Sequence, residues 1–124
     1  MAQPPIMVES EYDQYDAVGL AGLIAKGELG PSEPIEAAIS RIESRNPQLN
    51  AVIAKCFDAA RDIVAKALPD GPLAGVPYLV KDLNTWLSGV PATNGSRAFA
   101  DTTPETDGIL VSRLKAAGLV ILGK

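Results

Sequence analysis

The residues best suited to chemistry are Lys81 and Asp82, which directly follow the short apolar run 76–80. Ligands of open α/β sheets gather at the carboxyl ends of the strands, so a lysine at such an end lies where a substrate would bind. An enclosed lysine acts as a general base if burial and neighbouring charges depress its pKa from about 10.4. The alternative is a solvated charge at a strand end, because lysine is rarely buried.

A second polar cluster, Thr-Asn-Gly-Ser at 93–96, lies in a long irregular segment. Asn-Gly is a strong turn signal, so a tight turn is the plain interpretation. Ser96 is also a possible nucleophile, but a serine needs a base, and the sequence contains no histidine. A pairing of Ser96 with Lys81 is chemically allowed. Beside the candidate catalytic Lys81, the candidate substrate or loop residues are therefore Asp82, Thr93, Gly95 and Ser96.

The composition excludes several classes of protein and site. The absence of histidine removes Ser-His-Asp catalysis and histidine-based metal sites from these 124 residues. Cys56 is the only cysteine, which excludes an intrachain disulfide and a thiolate zinc cluster, and a buried, inert thiol is expected. We therefore predict no metal site built from histidine or cysteine.

Charge and hydropathy limit the partners. Eleven basic and fifteen acidic residues give a net charge of −4, and no basic footprint for nucleic acid or an anionic membrane is visible. No stretch of about 18 apolar residues is present, and the N-terminus lacks the pattern of a signal peptide. These observations predict a cytoplasmic protein without nucleic-acid or membrane partners.

The first half of the chain favours helices. Residues 1–11 carry two prolines and are predicted to form a flexible arm, with a single domain over 12–124. Apolar periodicity predicts helices at 15–26, 32–46 and 57–67. Asp13 or Asp16 is expected to cap the first helix and Ser32 the second, while Asn46-Pro47 is expected to end the second. The apolar run 51–54 fits either a strand or a helix start.

The second half favours an α/β unit. Buried strands are predicted at 76–80 and 119–122, separated by the polar segment 84–107 and a helix from Ile109 that closes at Gly118. Asp107 is expected to cap that helix. Strand, loop, helix and strand in this order indicate a parallel sheet. Two such strands leave open edges, so we expect the front portion of a larger α/β protein, with self-association through exposed strands as a consequence.

Four pieces of sequence then occur in a telling order: Asn-Pro-Gln-Leu-Asn-Ala-Val-Ile at 46–53, Gly-Pro-Leu-Ala-Gly-Val-Pro-Tyr-Leu-Val-Lys-Asp at 71–82, Thr-Asn-Gly-Ser at 93–96, and Leu-Lys-Ala-Ala-Gly-Leu-Val-Ile-Leu-Gly-Lys at 114–124, preceded by Asp107. With them, the chain from about residue 15 onward resembles the N-terminal part of an amidase signature family enzyme. Within the family, the segment around Lys81 is most similar to 6-aminohexanoate cyclic dimer hydrolase and related amidases, and less similar to the A subunit of glutamyl-tRNA amidotransferase.

The resemblance implies a fold and a mechanism. The fold is the amidase signature α/β domain around a mixed sheet, of which the N-terminal helices and first strands are present here. The mechanism is hydrolysis of a small-molecule amide by a nucleophilic serine, a second serine in a cis peptide bond, and a lysine base, without metal or cofactor. By position, Lys81 matches that lysine, and Ser96 matches a loop serine instead of the nucleophile.

In this family both serines lie downstream of a Gly-Lys-Thr-Asn stretch, and the present sequence reaches only Gly123-Lys124. The expectation is therefore that these 124 residues carry one catalytic residue of three and are inactive alone. The alternative function is a non-catalytic truncated product, or an interaction segment that needs a second chain to complete the fold.

Overall fold

A computed structural model describes residues 7–124. This part of the chain contains α1 (Glu9–Tyr12), α2 (Ala17–Ala25), α3 (Ser32–Leu49), α4 (Phe57–Lys66), β1 (Pro77–Leu79), α5 (Ile109–Ala116) and β2 (Val120–Gly123), with a short 3-10 helix at Arg97–Phe99. No helix of residues 7–124 is both long enough and apolar enough to cross a membrane.

The predicted arm 1–11 lies partly outside the described residues. In the part that the structure describes, the chain is packed and not loose. The Met7 side chain is buried in a cluster with Leu20 and Ile24 of α2. The backbone carbonyl of Glu9 accepts a hydrogen bond from Arg41 Nη2 of α3 at 3.1 Å. Contacts of this kind tie the N-terminal helix to α3.

Helix α2 begins as predicted, because Asp16 Oδ1 accepts a hydrogen bond from the Gly19 amide at 2.7 Å. The predicted start of α3 is wrong. Ser32 is the first helical residue and not the cap, and the Glu33 side chain instead accepts from the Gly30 amide at 2.6 Å. The Glu33 amide in the first turn donates to the Gly30 carbonyl at 3.1 Å, so the sequence located this helix but not the contacts at its start.

The predicted end of α3 is also wrong, because the helix continues through Pro47 to Leu49. Asn46 explains how the chain tolerates this proline. Its side chain accepts from the Val52 amide at 2.9 Å and donates to the Val52 carbonyl at 3.0 Å. The helix then stops at Asn50, whose φ of 47° is left-handed. These side-chain bonds outweigh the usual preference of a residue before proline for extended backbone.

The two strands pair in parallel, with Tyr78 opposite Ile121, as the predicted α/β unit requires. They differ in burial. All of β2 is buried, whereas Tyr78 and Leu79 of β1 are about two-fifths exposed, at 40% and 41%. The buried-strand prediction is therefore confirmed for 119–122 and wrong for the middle of 76–80.

The position of β2 in the sheet explains the difference. Val120 and Leu122 pack against α3 and α4, and Ile121 packs on the other face with Val111 of α5. Both faces of β2 are thus covered, as the sequence pattern of a central parallel strand predicts. Within residues 7–124, β1 has a strand neighbour only on its β2 side.

The run 51–54, which fitted a strand or a helix start, forms neither a helix nor a full strand. It approaches β2 from the side opposite to β1, where Lys55 forms an isolated antiparallel bridge with Gly123. The Lys124 amide donates to the Ala54 carbonyl at 2.9 Å. A Cβ at position 123 would overlap the carbonyl oxygen of Ala54, so this close approach requires glycine.

Candidate active site

Lys81 lies at the carboxyl end of β1, two residues beyond Leu79. Burial alternates along this stretch: Val80 and Asp82 are buried, while Lys81 and Leu83 are exposed. Within residues 7–124 the Lys81 ammonium takes part in no ion pair. The enclosure that a lysine base requires is therefore not supplied by these residues.

The carboxylate of Asp82, the next residue, accepts three hydrogen bonds. Its Oδ1 accepts hydrogen bonds from the Thr93 amide at 3.2 Å and from Lys124 Nζ at 3.2 Å. Its Oδ2 accepts one from the Thr93 hydroxyl. Burial raises the pKa of Asp82, but the hydrogen bonds from Thr93 and Lys124 outweigh it and hold that pKa below its usual value. The carboxylate is therefore ionised and fixed at neutral pH.

Lys124 is the residue of this cluster that sequence reasoning missed. Its side chain is fully buried, with 0% exposed. The ammonium donates to Asp82 Oδ1 at 3.2 Å, to the Thr85 carbonyl at 2.8 Å and to the Pro91 carbonyl at 3.2 Å. One signal was available: a lysine follows the apolar strand β2 just as Lys81 follows β1. The sequence could not reveal that one lysine points inward and the other outward.

The cluster 93–96 forms the predicted turn. Asn94 and Gly95 both have left-handed backbones, with φ of 52° and 72°. The Gly95 amide donates to the Thr93 hydroxyl at 3.2 Å, which connects the turn to Asp82. Ser96 instead accepts from the Ala98 amide at 3.3 Å and begins the 3-10 helix. The structure thus brings Asp82, Thr93 and Gly95 together with Lys124 and leaves the Ser96 hydroxyl in a local turn.

Asp107 does not cap α5, contrary to prediction. The cap position is Gly108, and Asp107 instead accepts from the Ser88 amide at 2.8 Å and from Lys115 Nζ at 2.6 Å. Burial raises the pKa of Asp107, but the bonds from Lys115 and Ser88 outweigh it and lower that pKa overall. Asp107 lies one residue before the cap position, and its carboxylate binds two other donors instead. These bonds anchor the C-terminal end of the polar segment.

An apolar cavity of about 350 Å³ lies beside α4 and β2. Its lining includes Cys56, Ile63, Leu87 and Ile121. Burial raises the pKa of the Cys56 thiol, although the positive charges of Lys124 and Lys115 lower it in part. The thiol is therefore protonated at neutral pH. Cys56 is only partly buried, so the prediction of a buried thiol is wrong.

Comparison with known proteins gives a consistent set of relatives. The family model described as Amidase matches residues 33–124. The chain is 41% identical over 122 residues to the A subunit of glutamyl-tRNA(Gln) amidotransferase from Salinispora tropica, covering 93% of this chain and 25% of that protein. It is 39% identical over 111 residues to 6-aminohexanoate-cyclic-dimer hydrolase of Pseudomonas sp. strain NK87, covering 88% of this chain and 22% of that protein.

The structures agree with the sequences. The solved structure of 6-aminohexanoate cyclic dimer hydrolase complexed with substrate superposes with a TM-score of 0.80 at 38% identity, covering 89% of this chain and 23% of that one. This confirms the predicted α/β fold class, of which a part is present. The relatives include 6-aminohexanoate-cyclic-dimer hydrolase, as the resemblance predicted, and over the whole chain its identity of 39% is similar to the 41% of the amidotransferase subunit. The chain spans about a quarter of the length of the curated relatives that it matches.

Proposed function

The chain belongs to the amidase family, and from this premise we propose that the protein carrying it hydrolyses the C–N bond of a small-molecule amide. The observation that carries the proposal is Lys81 at the carboxyl end of β1, in the segment that resembles the family's catalytic lysine motif. A cytoplasmic location is part of the same proposal.

In the proposed mechanism Lys81 is the general base. Its neutral amine accepts the proton of a serine hydroxyl, that serine activates the nucleophilic serine, and the nucleophile attacks the amide carbonyl. The amine leaves with a proton, and water then releases the acid from the acyl-enzyme. Neither serine of this set has a counterpart in the motifs of the 124 residues, so the chain alone is proposed to be inactive. Asp82, Thr93 and Gly95 are proposed to shape the loop beside the base.

The exposed side chain of Lys81 limits how this mechanism operates. A lysine base needs neighbouring groups that enclose it. That enclosure would have to come from residues outside 7–124. Leu79 and Leu83 flank Lys81 on its exposed side, and apolar residues there suit an enclosing partner surface.

Substitution of Lys81 tests the function in a protein that carries this segment together with the family's serines. Lys81→Ala should lower kcat/KM on an amide substrate by about 10²–10⁴-fold, since a general base is lost. Lys81→Arg should lower it almost as far, because arginine stays protonated. Activity of the arginine variant within a few-fold of the parent, with unchanged circular dichroism, would remove Lys81 from catalysis.

The second candidate function is a non-catalytic segment that a second chain completes. The exposed apolar residues of β1, Tyr78 and Leu79, favour it, since an open strand edge with apolar side chains is a pairing surface. Sedimentation of the isolated chain tests whether this edge pairs: self-association is expected, and charged substitutions at both positions should abolish it. A monomer at all concentrations would contradict it.

A further inference from the structure

The Lys124 ammonium has a complete set of partners. An ammonium has three N–H donors, and Lys124 Nζ has three oxygen acceptors: Asp82 Oδ1, the Thr85 carbonyl and the Pro91 carbonyl. The backbone of Lys124 also makes two hydrogen bonds of 2.9 Å. Its amide donates to the Ala54 carbonyl, and its carbonyl accepts from the Ile53 amide. Lys124 is thus held at both ends and has little freedom to rearrange.

Residues on both sides of Lys81 are bonded to the segment Gly123-Lys124. The residue before it, Val80, donates its amide to the Gly123 carbonyl at 3.1 Å. The residue after it, Asp82, accepts from Lys124 Nζ at 3.2 Å. The backbone of Lys81 is therefore attached on either side to Gly123-Lys124, while its own side chain is left exposed.

We propose that Lys124 is a positioning residue, which fixes the backbone of Lys81 through Asp82 for the amide hydrolysis proposed above. Lys124 itself would touch neither substrate nor nucleophile. The inference rests on the proposed function, since a base has to exist before it can be positioned.

The cost of a buried ion pair supports a role in geometry more than in stability. Two charges taken out of water lose hydration that their attraction repays only with ideal geometry, and well-packed apolar residues often stabilise a fold equally well. An ion pair fixes direction, however, because each hydrogen bond has a required angle. Here the three acceptors on Asp82, Thr85 and Pro91 hold the chain that leaves β1 at three points.

The test is Lys124→Met, measured in a protein that carries this segment and the family's serines. Misplacement of a catalytic group by about 1 Å costs up to 10²-fold in rate. We expect kcat per folded molecule to fall about 10- to 100-fold and KM to change less than 3-fold. The matched control is Lys115→Met, which deletes the other lysine paired with an aspartate, and it should leave both constants within 2-fold of the parent.

Three outcomes would overturn the inference. These are kcat of Lys124→Met within 3-fold of the parent, a change in KM alone, or an equal loss of kcat in Lys115→Met. If Lys124→Met does not fold, Thr93→Val replaces it. That variant removes one hydroxyl donor to Asp82 at constant volume and should lower kcat about 3- to 10-fold, and an unchanged kcat would count against the inference.

Lys81→Arg in the same assay separates the two proposals. If the arginine variant is inactive and Lys124→Met has the parental kcat, the positioning role fails and the proposed function stands. If the arginine variant is active, the proposed function fails, and the positioning role fails with it.

Discussion

The polar segment 84–107 is anchored at each end by a lysine–aspartate pair, and the two pairs lie in opposite environments. At its start, Asp82 pairs with Lys124, with side-chain exposures of 10% and 0%. At its end, Asp107 pairs with Lys115, with side-chain exposures of 18% and 44%. The second pair has the shorter N–O distance, 2.6 Å against 3.2 Å. We expect the longer, buried pair to contribute more than the shorter, exposed one, because burial and the number of partners weigh more than distance.

The largest effect is expected from breaking the buried pair on one side. Lys124→Met leaves the Asp82 carboxylate buried without its counter-charge and should lower the free energy of unfolding by about 3–5 kcal/mol. Urea denaturation followed by circular dichroism measures this. A loss below about 1 kcal/mol would mean that Asp82 finds solvent or another donor.

Removing both charges of the buried pair should restore part of that loss. In Asp82→Leu/Lys124→Met no uncompensated charge remains, so the double variant should be more stable than Lys124→Met by about 1–2 kcal/mol. Full recovery is not expected, because Thr93 and the Thr85 and Pro91 carbonyls lose partners. The same denaturation series measures the difference, and additive losses from the two single variants would argue against coupling.

Acid should weaken the two pairs in the same direction. The pKa values of Asp82 and Asp107 are both lowered in the fold. Each carboxylate therefore stabilises the fold above its unfolded pKa, near 3.9, and that stability is lost as the pH falls through the lower folded pKa. Unfolding free energies measured from pH 6 to pH 2 should decline below about pH 4. Asp82→Asn should make that decline shallower, and an unchanged slope would show that Asp82 does not contribute.

The smallest effect is expected at the exposed pair. Lys115→Met should change the unfolding free energy by about 0–1 kcal/mol, since water already screens a half-exposed ammonium. The remaining donor to Asp107, the Ser88 amide, stays in place. Salt titration of the stability sharpens the contrast: the Lys115 pair should weaken with added salt, while the buried pair should change much less. A loss above about 2 kcal/mol in Lys115→Met would contradict the expectation that this exposed pair contributes little.

Local patterns predicted the elements better than they predicted the contacts between distant residues. The parallel pairing of the two strands, the capping by Asp16 and the turn at 93–96 follow from short-range rules, and all three are present. The extension of α3 through Pro47 depends on a bond from Asn46 to Val52, which lies beyond the helix. Burial of Lys124 depends on acceptors 33 to 42 residues away, which no local rule could specify.

For the candidate site as well, the sequence indicated the residues better than their burial. Lys81 and Asp82 are candidates because they follow a strand, and Thr93 and Gly95 because they belong to the segment with the Asn-Gly turn signal. In the structure Asp82, Thr93 and Gly95 are neighbours. The exposure of Lys81 matches the alternative of a solvated charge at a strand end. The sequence could not choose between this and an enclosed lysine, because strand alternation fixes which residues share a face but not which face is covered. That depends on the whole sheet, of which residues 7–124 contain two strands.

The polar segment 84–107 is anchored at its two ends, so its middle should tolerate an insertion better than its ends. Two backbone hydrogen bonds close a loop within this segment: the Ala92 amide donates to the Thr102 carbonyl at 2.7 Å, and the Gly89 amide donates to the Pro104 carbonyl at 3.0 Å. Inside the loop that they close, the residues from Arg97 to Asp101 are all exposed. Lengthening a closed loop costs only about 0.6 kcal/mol for each doubling. A peptide tag or fluorophore site inserted at Ala100 would therefore leave the fold intact, whereas the same insertion beside Asp82 would separate the carboxylate from its lysine.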